Sequence, residues 1–350
     1  FFATLAPSFG FAPGQRLLAL TTVSFDIAAL ELLGALAHGM TVVLADATQA
    51  RDPERLVALI ETHAIDVLQT TPTRLRMILE APGGERALAR LATLLVGGEA
   101  LPRDLAARLA RLATTTVHNV YGPTETTIWS AASIVRDDAP TLGRPLPGER
   151  IFVLSPALRP QPPGAPGEIA IAGAGVGGGY HERPELSAER FILRPELAEG
   201  PIYLTGDLGR WDQHGNLHYL GRNDDQIKIR GMRIEAGEVE QALRALPDVR
   251  DAVVLARPGR DGIHELVAWV VCPDLPALVP LTLQTVPLWR AELARHLPEA
   301  CIPAHFVRVE ALPQTPNGKI DRRALPAPDD HDPAGAQPTA GARAPDGPRE

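Results

Sequence analysis

The 350-residue sequence predicts an α/β protein: part of a large α/β plus β-barrel domain, followed by a small mobile α+β domain. Three features predict it. Short aliphatic runs alternate with helix-period segments from Leu17 to about Val135, as an α/β layer requires. Short strands punctuated by Pro and Gly then run from Gly143 to Leu220, and a charged strand opens a new pattern after Gly221.

In the first layer, DIAALELLGALAHG carries apolar residues at helical spacing and stops at Gly39. TVVLA, DVLQT, TLLVGG and TVHNV are β-branched or aliphatic and bounded by helix or turn residues, so they are expected to be buried, mostly parallel strands. RIFVLS, EIAIAG, IYLTG and LHYLG form the β-rich, barrel-like part. Beyond a Gly-Arg-Asn-Asp turn, QIKIRGMRIE alternates apolar residues with Lys228 and Arg230, the period of a strand with one wet face. GEVEQALRALPDV and PLWRAELARHLPEA follow as helices, and DAVVLARP and HELVAWVVC as strands. From Pro326 the chain has almost nothing apolar beyond Ala and Pro and cannot offset the entropy of ordering, so it is expected to be a flexible linker cut from something longer. The expected divisions are 1–221, 222–327 and a disordered 328–350.

Bulk properties exclude more than they identify. A net charge of -8 argues against a nucleic-acid or anionic-membrane partner. Cys272 and Cys301 lie far apart without a CxxC or His-rich context, which indicates neither a metal site nor a disulfide framework. No apolar run approaches the roughly 18 residues of a membrane span. The start FFATLAPSFGF lacks the basic segment of a signal peptide, so cytoplasmic residence is expected.

Several short motifs could carry chemistry. Asn119-Val-Tyr-Gly-Pro-Thr-Glu125 follows a predicted strand, at the end where open α/β sheets bind ligands. It also fits an ordinary strand-to-helix turn with Glu125 in the first helical turn. Asp207 follows a strand in a Gly turn, where an Asx-type turn is the plainer role. Lys319, in PNGKID, taken alone is a surface lysine on a turn. Gly173 to Gly179 matches GxGxxG, but Tyr180 to Pro184 intervenes before any helix and no βαβ unit surrounds it, so a dinucleotide site is rejected. His214 and His218 flank a Gly215-Asn216 hairpin turn, a poor setting for a metal.

YGPTE, YLTGDL, the charged stretch through Glu240 and NGKID occur in that order, and together they resemble the adenylate-forming enzymes, specifically the adenylation domains of nonribosomal peptide synthetases. The resemblance runs from about Phe11 to Pro326 and implies ATP-dependent activation of an amino acid as its adenylate. Transfer to a phosphopantetheine thiol on a carrier protein follows. It implies nucleotide contacts from Asn119, Tyr121, Gly122, Thr124, Asp207, Tyr219 and Arg222: Tyr121 as an aromatic wall for adenine, Asp207 holding the ribose hydroxyls, Arg222 reaching phosphate. Glu125 would contact Mg²⁺ and Lys319 would sit between substrate carboxylate and α-phosphate, which makes Lys319, Glu125 and Arg222 the catalytic set. Asp224 matches the hinge, and Gly231 to Glu238 the surface presented to the pantetheine arm.

The pocket positions carry over as Asp26, Ile27, Leu30, Gln69, Leu95, Gly97, Val120, Ile128, Trp129 and Lys319. This set resembles the combination for glycine, with alanine as runner-up. Asp26 would anchor the α-ammonium and Trp129 fill the volume of a side chain. A carrier domain downstream of the linker and a condensation domain upstream are the implied partners. The family's Ser/Thr/Gly-rich phosphate loop has no counterpart between Phe1 and Asp26, so the chain is expected to lack the first third to half of the domain and to activate poorly alone. An acyl-CoA ligase of the same superfamily, which would not need Asp26, and an inactive fragment that only binds partners are the alternatives.

Overall fold

The computed structural model describes residues 1–112, 114–223, 227–229, 232–259, 264–273, 285–313, 320–322 and 324–327. Asp224, Gly231, Lys319 and the expected linker over 328–350 lie outside the described residues. The chain divides into two compact units, Phe1–Asp224 and Asp225–Glu350.

In the first unit, β1 (Arg16–Ala19), β2 (Thr41–Leu44), β3 (Val67–Thr70), β4 (Thr93–Gly97) and β5 (Thr116–Tyr121) pair in parallel in the order β2-β1-β3-β4-β5. Antiparallel β6 (Ala131–Ile134) and β7 (Arg144–Pro145) extend the sheet beyond β5. The strand order reverses between β1 and β3, and the carboxyl ends of the flanking strands form the crevice where such sheets take ligands. Strand alternation sends Leu18, Leu20, Leu68, Leu94, Val96 and Val117 to one face, under the helices Pro53–Thr62, Pro72–Glu80 and Arg103–Leu109. Asp52 and Thr71 start the first two of these helices, each accepting from backbone N–H groups of the first turn, with proline next in line.

The opposite face, with Leu17, Ala19, Val67, Leu95 and Val120, packs against the helix Phe2–Phe9 and the segment from Ile27 to Ala37. That segment is helical as expected but contains a π-helical turn over Leu30–Gly34. Gly34 sits so close to Leu5 that a Cβ there would stand 2.8 Å from its Cδ1. One expectation is corrected: TVVLA forms an edge strand whose side chains are exposed or half-buried, because among the described residues no strand pairs beyond β2.

The β-rich part contains β8 (Glu149–Leu154), β9 (Gly167–Gly173), β10 (Phe191–Leu193), β11 (Pro201–Trp211) and β12 (Leu217–Arg222). They form an open sheet, β10-β11-β9-β8 with β12 also on β11, and no pairing that would close it into a barrel occurs among the described residues. IYLTG does not end at Gly206. The strand continues to Trp211, with an irregularity in its pairing to β9 between Leu204 and Leu208, so Asp207 sits in a bulge rather than past the strand.

In the second unit the charged stretch is a pair of antiparallel strands, β13 (Ile227–Ile229) and β14 (Met232–Ile234), rather than one strand. The helix Ala236–Arg244 buries Val239 and Leu243 under a separate sheet of β15 (Asp251–Pro258), β16 (His264–Val271) and β17 (His305–Val309). β17, parallel to β16, is a strand the periodicity did not reveal.

Candidate active site

The residues that carry chemistry gather at the carboxyl ends of the parallel strands. Asp26 follows β1, Gln69 lies near the end of β3, Gly97 ends β4 and Tyr121 ends β5. After Tyr121 the chain cannot simply enter a helix. A single 3₁₀ turn, Thr124–Thr126, is followed by Thr127 and Ile128 at φ 65° and 71°. Two successive left-handed residues without glycine, both β-branched, store backbone strain. They fold Ile128 to Ser130 back against β5, where Gly122 leaves room: a Cβ there would meet Ile128 O at 2.5 Å.

The turn presents its polar and apolar sides separately. On the apolar side Ile128 and Trp129 are 4% and 2% exposed and join Ile27, Leu30, Leu95 and Val120 in one cluster. Trp129 lies against Gly97 so tightly that a Cβ on that glycine would stand 2.7 Å from the indole Cη2. The indole Nε1 and the Oε1 of Gln69 are buried with no hydrogen-bond partner among the described residues. A cavity of about 370 Å³ lined by Phe1, Phe2, Asp26, Ala29, Thr124, Thr127 and Ile128 opens beside this cluster. It brings half-buried Asp26 to the same space as the turn.

On the polar side, Tyr121 Oη donates to Asp207 Oδ2 at 2.7 Å and Arg222 Nη1 donates to Asp207 Oδ1 at 2.6 Å. Arg222 also donates to Thr205 O at 3.1 Å. Asp207 is 1% exposed, and its N–H donates to Thr205 Oγ1, which in turn donates to Ile169 O. Burial, with the neighbouring Asp207 carboxylate, holds the Tyr121 phenol well above its usual range. Tyr219 packs in the same cluster as Tyr121.

Glu125 faces a second group. Tyr180 Oη donates to Glu125 Oε1 at 2.6 Å and lies 3.2 Å from Tyr203 Oη, with Phe191 edge-on to Tyr180. The glycine-rich loop before Tyr180 is tied to the turn by Thr127 Oγ1 donating to Gly175 O and by Gly177 N–H donating to Glu125 O. Burial pushes the Glu149 carboxyl beneath this loop up to about 7. Among the described residues no group of three or more His, Cys, Asp or Glu is placed to hold a metal by itself. One carboxylate in an oxygen-rich setting suits a hard cation that also takes phosphate oxygens and waters.

The structure therefore brings together Tyr121, Asp207, Tyr219 and Arg222, and separately gathers Ile27, Leu30, Leu95, Gly97, Val120, Ile128 and Trp129. Asn119 is turned elsewhere: its Nδ2 donates to Thr141 O at 2.7 Å. Sequence reasoning missed Thr205 and Glu149, and also Glu31. Glu31 is fully buried and accepts from Leu20 N–H, Thr21 N–H and Thr21 Oγ1, bracing the loop from β1 to Asp26. An acidic residue between Leu30 and Leu32 in a helix-period run was the available signal.

Comparison with known proteins matches residues 2–181 to the AMP-binding enzyme family and residues 238–319 to the AMP-binding enzyme C-terminal domain. The dimodular nonribosomal peptide synthase of Bacillus subtilis (strain 168) is 42% identical over 333 residues, covering 94% of this chain and 14% of the synthase. Malpinin synthetase of Mortierella alpina is 41% identical over 345 residues, covering 95% of this chain and 4% of the synthetase. The chain thus spans a small fraction of the curated relatives it matches. Among solved structures, holo-PA1221, a synthetase protein containing adenylation and PCP domains bound to a vinylsulfonamide inhibitor, superposes with a TM-score of 0.78 at 31% identity, over 92% of this chain and 55% of that one. The four-domain synthetase holo-AB3403, bound to AMP and glycine, superposes with a TM-score of 0.60 at 37% identity, over 94% of this chain and 24% of that one.

Proposed function

Because the chain belongs to the AMP-binding enzyme family, and within it to the adenylation domains of nonribosomal peptide synthetases, we propose that the protein carrying it activates glycine with ATP and passes it to a carrier-protein thiol. The observation that carries this reading is the 2.7 Å bond from Tyr121 to Asp207, which joins two motifs 86 residues apart in one buried polar centre. A carboxylate has about four lone-pair sites. Tyr121 and Arg222 use one on each oxygen, and a second on each remains for the two ribose hydroxyls. Asp207 is buried, so the ribose reaches it only as the Tyr121 side chain gives way and takes up its place against the adenine. Arg222, Thr124 and the backbone at Gly122 approach the phosphates, and Tyr219 supports the nucleotide face. Asn119 acts through the Thr141 backbone rather than by touching the nucleotide.

Glu125, oriented by Tyr180, would hold Mg²⁺ together with phosphate oxygens. When bound, that ion neutralises phosphate charge. The glycine carboxylate displaces pyrophosphate from the α-phosphate, and Lys319, carried on the second unit, would meet the charge that builds between them. Asp26 holds the α-ammonium at the cavity it lines. Ile27, Leu30, Gln69, Leu95, Gly97, Val120, Ile128 and Trp129 would form the wall behind, with the indole, packed on Gly97, filling the volume of a side chain. Rotation about Asp224 then withdraws Lys319 and admits the pantetheine arm of a downstream carrier domain; a condensation domain would receive the product. Water exclusion in both half-reactions is the reason for two closed states about one hinge. The family resemblance supports the roles of Lys319 and Asp224.

Calorimetric titration of Mg·ATP into the full-length protein tests the nucleotide site. Asp207→Ala should weaken binding by at least about tenfold, since it removes acceptors of charged and hydroxyl donors worth about 1.5–3 kcal/mol. Unchanged affinity in a folded variant would remove Asp207 from the site.

A further inference from the structure

Strand β1 stays in register with β3 as far as Leu18 and with β2 as far as Ala19. Leu20 and Thr21 lie past the paired part of the strand, and Glu31 takes up both of their backbone N–H groups. Its Oε2 accepts from Leu20 N–H and from Thr21 N–H, each at 2.9 Å, and its Oε1 accepts from Thr21 Oγ1 at 2.6 Å. Between Thr21 and the helical segment starting at Ile27 the chain makes an excursion to the surface, with Val23 83% exposed, and Asp26 stands at its far end. The backbone bonds inside the excursion are local: Phe25 N–H donates to Thr22 O at 3.0 Å and Ala28 N–H to Phe25 O at 3.0 Å. Glu31 closes the base of this loop, tying its incoming end to the helical segment that leaves it.

The position of the acid argues that its acceptors are the reason for it. Ile27, Leu30, Gly34 and Ala35 form the buried side of the segment, and Glu31 sits among them, fully buried, where an apolar side chain is the usual occupant. Burial raises its pKa, while the bonds from Thr21 and Leu20 and the charge of half-buried Arg74 oppose that rise. One carboxylate can serve three donors at once, and an ionised acceptor holds each about twice as strongly as a neutral one.

We propose that Glu31 is a positioning residue: by clamping Leu20 and Thr21 to the helical segment it closes the loop that carries Asp26 and fixes where that carboxylate stands at the cavity it lines. The consequence for activity rests on the adenylation reading, with Asp26 on the amino-acid side of the site and Tyr121, Asp207 and Arg222 on the nucleotide side. Loss of the clamp weakens binding of the amino acid and spares ATP.

The test compares Glu31→Leu and Glu31→Gln in the full-length protein, by amide hydrogen exchange of the 20–29 segment without ligands and by amino-acid-dependent ATP–pyrophosphate exchange. Leucine fills the buried site but accepts nothing, so the segment should exchange about tenfold faster or more. KM for the amino acid should rise about fivefold to tenfold while KM for Mg·ATP stays within about twofold. Glutamine keeps a carbonyl oxygen for the two N–H groups and offers its Nε2–H to Thr21 Oγ1, which can accept as well as donate, so both readings should return to within about threefold of the parent. Should the leucine variant not fold, Thr21→Val, which removes the hydroxyl bond alone, takes its place and should shift both readings in the same directions by about twofold to threefold. Unchanged exchange of the segment, a glutamine variant as impaired as leucine, or an equal rise in both KM values would overturn the proposal. If the full-length protein shows no amino-acid-dependent ATP–pyrophosphate exchange at all, the adenylation reading falls, and the hydrogen-exchange comparison still decides whether Glu31 holds the loop.

Discussion

Trp129→Ala separates the stability role of the indole from the substrate-selecting role proposed for it. Trp129 is 2% exposed and packed on Gly97. Truncating a buried Trp to Ala costs about 3–5 kcal/mol. Its Nε1 is buried without a hydrogen-bond partner among the described residues, and removing an unsatisfied donor returns about 1–3 kcal/mol of that. The net loss is about 0–4 kcal/mol, a drop in Tm of up to roughly ten degrees. For selectivity, one added methyl in a filled pocket costs about 1–3 kcal/mol, so the parent should prefer glycine over alanine by about tenfold to a hundredfold in kcat/KM. Trp129→Ala should lower glycine turnover modestly, shrink the glycine-to-alanine ratio to within about threefold and admit larger residues. Trp129→Phe keeps the ring and discards the unsatisfied N–H, so it should keep the glycine preference and match or exceed the parent in Tm. The assays are ATP–pyrophosphate exchange in the full-length protein over a series of amino acids, with thermal unfolding of each variant. A Trp129→Ala protein that keeps the parent's glycine-to-alanine ratio would refute the pocket argument.

Three other outcomes follow from named groups. Burial holds His118 neutral, lowering its pKa from 6.5 to about 4. Between those values the unfolded chain binds the extra proton, so this group's contribution to stability is full above about pH 6.5 and is lost as the pH falls toward 4. Urea midpoints at about pH 7.5 and about pH 4.5 should fall further for the parent than for His118→Phe, which has no proton to take up; equal falls would contradict the assignment. Lys319→Ala should nearly abolish adenylate formation while leaving transfer from pre-formed adenylate to the carrier largely intact, and Asp224→Pro should impair the exchange between half-reactions more than ATP binding. Equal losses in both half-reactions for Lys319→Ala, or weakened ATP binding with an unchanged ratio for Asp224→Pro, would count against those roles.

The parallel layer was legible because each strand is a short aliphatic run set between helix-period segments, a pattern that burial on both faces produces. What that pattern omits is position in the sheet: TVVLA is as apolar as its neighbours, yet β2 lies at the edge and is exposed. Alternation carries straight through Arg230 and Gly231, so two paired strands looked like one. HFVRV, flanked by HLPEACIP, shows no contrast that would separate β17 from its surroundings. In the site, the motif residues could be named but not joined. The bond from Tyr121 to Asp207 depends on how two sheets meet, and the placement of Asp207 depends on a bulge in β11 that no local residue preference announces. Glu149 was invisible for the same reason, since its side chain lies against the backbone of Gly175 in a separate loop.

The most direct measurement is ATP–pyrophosphate exchange by the full-length protein with each amino acid in turn. Glycine should give the highest kcat/KM, alanine should trail by about tenfold to a hundredfold, and reactions without an amino acid should stay at background. Exchange driven best by a bulky or aromatic amino acid would contradict the glycine pocket and leave the family assignment standing, whereas exchange driven only by a carboxylic acid lacking an α-amine would contradict amino-acid activation itself.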